Sequence, residues 1–118
     1  MFELAKFIPS ARYVSDPYVI TIESSTKDEV TCVLTNEKGE QTRCKCKPLR
    51  LYRYLSEDDF HLASVSASVD NNVAVKLFER PTGYRVSVIC DDTFFKDYVD
   101  LKSAIVEFAM LTGRLPIC

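Results

Sequence analysis

Residues 29–47 read EVTCVLTNEKGEQTRCKCK. Two β-forming runs flank Asn36-Glu37-Lys38-Gly39. Asn with Gly three positions later suits a type I turn closing on a left-handed residue. The pattern predicts a hairpin over 29–35 and 40–47, with Cys32 facing Cys44 and Val30 facing Cys46. Side chains alternate across a pleat with period two. One face then carries Val30, Cys32, Leu34, Thr42, Cys44 and Cys46, and the other Thr31, Val33, Thr35, Arg43, Lys45 and Lys47. The thiols are expected to turn inward and the cations outward.

Pro48 cannot donate to a ladder and marks an edge, a corner or the end of that strand. LRLYRYL (49–55) resumes the extended pattern, and the acidic SEDDF breaks it. From His61 to Cys90 the alternation predicts a three-stranded meander. Val65 is expected opposite Leu77 and Ala67 opposite Val75, with turns at DNN and RPTG. A bulge at Gly83 would put Tyr84, Val86, Val88 and Cys90 beside Phe78, leaving the meander apolar on both faces. Phe94, Tyr98, Leu101, Ile105, Phe108 and Leu111 recur at helical spacing, predicting one long helix over 93–112. Asp92 or Thr93 would cap its start, and Gly113 and Pro116 its end. Val99, Val106 and Met110 widen its apolar stripe beyond what one core needs. Tyr18, Ile20 and Ile22 mark a further strand, while MFELAKFI before Pro9 fits a strand or a short helix.

The elements predict one α+β domain over 1–118, β-rich from 18 to 90. Six to seven mostly antiparallel strands, in a meander or hairpin sandwich or a partly open barrel, pack against one long C-terminal α-helix. This order resembles a pleckstrin-homology-like barrel capped by its helix, although such a helix usually carries a Trp and this chain has none. It also resembles the coat proteins of single-stranded RNA phages, in which a sheet precedes helices that clasp a dimer partner. That likeness implies self-association.

Composition narrows the chemistry. With 118 residues, 47% of them apolar and only three Gly, the chain has material for one core and no linker or phosphate-cradling glycine loop. No apolar run approaches the roughly 18 residues that span a bilayer. The start lacks the order of a secretory signal. Five Cys, an odd number, fit reduced thiols and a cytoplasmic setting, the host cytoplasm for a viral or phage protein. A C-x-C along one strand separates its Cβ atoms by about 6.6 Å, awkward for a single zinc ion, even with Cys90, Cys118 or His61 added. The only histidine, His61, lacks a nucleophile elbow nearby. The acidic clusters Glu57-Asp58-Asp59 and Asp91-Asp92 lack calcium-loop spacing. No enzyme, metal or cofactor signature is present, so the expectation is a non-enzyme without cofactor.

The net charge of −2 hides one basic segment. Arg43, Lys45, Lys47, Arg50 and Arg53 fall within twelve positions, interleaved with Tyr52 and Tyr54. The rest of the chain has 10 basic residues against 17 acidic ones. Two functions follow. The first is a protein-interaction module, an accessory or inhibitor protein or a self-assembling subunit of viral or phage kind, acting through the edge strand 43–53 and the helix flank, with a homodimer expected. The alternative is RNA or single-stranded nucleic-acid binding through the basic-aromatic strand 43–54, its cations on phosphates and its tyrosines under bases.

Overall fold

The computed structural model describes residues 5–117. Eight strands and two helices alternate in the order β1 Arg12–Ser15, β2 Tyr18–Ser25, β3 Val30–Thr35, β4 Gln41–Cys46, α1 Pro48–Glu57, β5 His61–Ser68, β6 Ala74–Arg80, β7 Gly83–Ile89, β8 Thr93–Tyr98 and α2 Leu101–Thr112. The protein is α+β and antiparallel, with one or two strands more than the alternation predicts. The described chain forms two compact units. One spans Phe7–Ala63; the other holds Ser64–Ile117 with residues 5 and 6.

In the first unit β1 to β4 form an up-and-down meander. Asn36 closes its last hairpin: the side-chain oxygen accepts from the Lys38 and Glu40 amides at 2.9 and 3.0 Å, and Gly39 takes φ 80°. The register is the expected one, Cys32 opposite Cys44 and Val30 opposite Cys46. The short β1 has no clear alternation in sequence. It enters through Tyr13, which is buried and pairs with Ile20. Ile20, Ile22, Val30 and Cys32 are also buried, as are Leu51 and Leu55 of α1.

α1 corrects the sequence reading of 48–55 as strand. Pro48 occupies the helix start, where its missing N–H costs nothing, and Leu51 and Leu55, one turn apart, supply the buried stripe. Over seven residues, LRLYRYL satisfies both periods. Proline at the first helical position is the signal that separates them.

In the second unit β5 to β8 form another meander. The expected pairs Val65–Leu77 and Ala67–Val75 are present. The next turn differs from expectation. Arg80 pairs directly with Gly83 across the two residues Pro81 and Thr82, with no bulge. Tyr84, Val86 and Val88 therefore join the face of Leu77 and Val75, whereas Lys76, Phe78, Arg85 and Ser87 share the other. The meander has one apolar face, not two.

α2 covers that face, packing against β6, β7 and β8. Ala104, Ile105, Phe108 and Ala109 are buried, and Asp100 caps the helix by accepting from the Ser103 amide at 2.9 Å. Gly113 ends it in the left-handed conformation, as predicted. The helix is 12 residues, about 18 Å. Residues 93–98, expected as its first turns, are β8. Thr, Phe and Tyr favour the pleat, and pairing with β7 satisfies their backbone, so Asp91 and Asp92 precede a strand and not a helix. Among the described residues β4 and β8 each have a neighbour on one side only, so neither meander closes into a barrel.

Candidate functional site

The basic residues of 43–54 do not share one strand. Arg43 and Lys45 lie on β4, Lys47 is the N-cap of α1, and Arg50, Tyr52, Arg53 and Tyr54 lie on α1. At about 100° per residue, Arg50, Arg53 and Tyr54 cluster on one side of the helix and Tyr52 points nearly opposite Arg50. Arg43 is engaged by Glu23 in a two-pronged ion pair at 3.0 and 2.9 Å, which raises the guanidinium pKa further. The Tyr54 ring packs 5.7 Å from Phe60, and burial pushes its hydroxyl up. The pairing of cations with stacking planes expected from the sequence is dispersed.

The thiols follow the predicted alternation but not the predicted burial. Cys32 is buried, Cys46 partly so, and Cys44 is exposed, because the β4 end of this face is not covered. Burial first, then Cys46 and Cys44, push the Cys32 thiol up to about 11. Cys90 donates to the Asp92 carbonyl at 2.9 Å. Among the described residues no three His, Cys, Asp or Glu side chains are grouped to hold a metal ion, and Cys118 lies outside them. Cys44 is expected to alkylate at once in the native protein and Cys32 only after unfolding, as peptide mapping of iodoacetamide-treated protein would show. The raised pKa also sets a sign. The unfolded thiol loses its proton near 9 and the folded one near 11. Cys32 therefore contributes stability that is complete below pH 9 and lost as pH rises toward 11. Replacing it with Ser or Ala should reduce the fall in Tm over that window.

β8 is the other outer strand, and its chemistry is different. β4 carries Arg43 and Lys45, the charges that discourage strand addition. β8 carries Phe94 and Phe95, 62% and 58% exposed, one on each face. Val99 is 90% exposed, and Val106, Met110 and Leu111 are exposed on α2. Tyr98, Lys96 and Phe94 pair with Tyr84, Val86 and Val88 and so share the face that α2 covers, where burial and the Glu107 carboxylate push the Tyr98 hydroxyl up. On the other side Arg85 stacks 3.8 Å over the Phe95 ring and grips Asp97 at 2.7 and 3.1 Å, with Arg80 3.6 Å from the same carboxylate. These contacts hold Phe95 and Asp97 in place.

The register also fixes which backbone groups are free. A two-residue turn makes Arg80–Gly83 a hydrogen-bonded pair, and such pairs alternate along antiparallel strands. Residues 85, 87 and 89 of β7 then bond to β6, and 84, 86 and 88 bond to 98, 96 and 94 of β8. The amides and carbonyls of Thr93, Phe95 and Asp97 point outward, away from β7.

Compared with known proteins, the chain matches no family model, no curated protein and no solved structure. The sequence reading missed this edge because it placed Phe94 and Phe95 on a helix. Two β-forming pairs, Phe94-Phe95 and Tyr98-Val99, separated by Lys96-Asp97 and followed by Asp100 as the next N-cap, are the signal that locates it.

Proposed function

We propose that the protein is a non-enzymatic protein-interaction module, an accessory or self-assembling subunit, that takes a partner strand at β8. The carrying observation is one outer strand with both faces aromatic and exposed and three outward amide–carbonyl pairs unsatisfied by its own sheet. Strand addition draws affinity from such main-chain groups and selectivity from alternate side chains. Val99, Val106 and Met110 are further exposed apolar side chains of the same unit, and proteins pair through such surfaces. Among the described residues no helix is long and apolar enough to cross a membrane. The reading carries reduced thiols and a cytoplasmic setting.

The test is affinity capture with three baits. The unaltered chain is expected to retain a protein, another copy included, that the Phe94→Lys, Phe95→Lys double variant loses. An Arg43→Glu, Lys45→Glu, Lys47→Glu variant should keep it. If the triple variant loses the partner while the double variant holds it, or if nuclease releases it, the basic segment is the contact and the nucleic-acid reading replaces this one.

A further inference from the structure

The β8 edge is complementary to itself, and we propose that its partner is a second copy of this chain, paired antiparallel through β8 about a two-fold axis at Phe95. The inference rests on the interaction reading above and adds the partner and the register.

Directly opposed residues of an antiparallel pair lie on the same face, so a symmetric pairing can centre only on a residue. Centred on Lys96, the pairing would set one ammonium against another and Phe95 against the Asp97 carboxylate. Centred on Phe95, it sets Phe95 against Phe95, Thr93 against Asp97, and Phe94 against Lys96 twice. This removes the like-charge contact and places each cation beside an aromatic ring. The Lys96 ammonium already lies 5.5 Å from the Tyr98 ring on that face, so it is held next to aromatic surface before pairing. The backbone agrees. Thr93, Phe95 and Asp97 are the residues whose amides and carbonyls face outward, and the Phe95 centre makes all three into hydrogen-bonded pairs. The axis runs perpendicular to the sheet, so the two α2 helices lie on the same side, with both copies of Phe94 and their exposed flanks.

The main-chain phase supplies a clean test. Thr93→Pro removes an outward amide and no β7–β8 bond, and proline is tolerated where the N–H of an edge strand faces solvent. Lys96→Pro removes an inward bond. Light scattering after size exclusion, from micromolar to near-millimolar protein, should give twice the 13.4 kDa chain mass for the unaltered protein. Thr93→Pro and Phe95→Lys should give a single chain mass with an unchanged monomer CD spectrum. Lys96→Pro should lower Tm. In a mixture of isotope-labelled and unlabelled chains, intermolecular contacts should join Phe94 to Lys96. A strict monomer at every concentration overturns self-pairing, and the interaction reading then stands or falls on the capture experiment alone. A dimer that survives both Thr93→Pro and Phe95→Lys, or contacts that join Lys96 to Lys96, overturns the β8 interface or its register.

Discussion

Replacing Phe108 with alanine is expected to cost about 3–5 kcal/mol, the largest loss from any single side chain of α2. Phe108 is fully buried and among the bulkiest of the fully buried side chains. Its neighbours on the buried stripe are Ala104, Ile105 and Ala109, so two of the three are too small to fill the space it leaves. The loss combines the transfer energy of the ring with the cavity that remains. Against a typical domain stability of about 5–15 kcal/mol, it is enough to leave α2 loosely held. Urea unfolding followed by far-UV CD reads the midpoint. Met110→Ala, on the same helix but 67% exposed, is the control and should move stability by about 0.5 kcal/mol or less. Equal effects of the two substitutions would mean that α2 does not bury this stripe.

Gly83→Ala is expected to separate β8 from β7. Gly83 holds φ 147°, a backbone conformation open to glycine and strained for any other residue, at about 1–3 kcal/mol. A Cβ there would also collide with the Tyr98 carbonyl oxygen, which is backbone and cannot rotate away. The last β7–β8 rung must open, and the disturbance reaches the strand that carries Phe94 and Phe95. Amide exchange should accelerate at Lys96 and Tyr98, and dimerisation should weaken with it. Gly39→Ala separates strain from collision: φ is 80° but the added Cβ meets nothing within 4 Å, so β8 exchange should not change. If Gly83→Ala leaves Lys96 and Tyr98 protected, β8 is not held where the collision requires.

Elements with one dominant signal were legible in the sequence. The Asn36–Gly39 bend fixed a hairpin to the residue, because a register slip would have reversed both faces. The β5–β6 pairing was equally constrained by its alternating Val and Ala. Three segments were not legible, each for a local reason. LRLYRYL fits both periods, and the choice of helix rests on Pro48 and on burying Leu51 and Leu55. Thr93–Tyr98 has apolar residues at positions that also continue the stripe of α2, and only pairing with β7 makes them a strand. At Gly83 a bulge and a direct two-residue turn differ by one residue, and that residue decides which face Val86 joins. The candidate site depends on the same segments. Residues 43–54, which concentrate the basic charge, divide between β4, a cap and α1. Exposed Phe94 and Phe95 lie where helical spacing predicts the start of α2 and where the structure has β8.

Backbone amide exchange at β8, followed residue by residue as protein concentration rises, tests the central claim most directly. The account predicts that Thr93, Phe95 and Asp97, fast in the dilute chain, slow to match Phe94, Lys96 and Tyr98 as the second copy docks. Thr93, Phe95 and Asp97 remaining fast at concentrations where the chain is fully associated would contradict it.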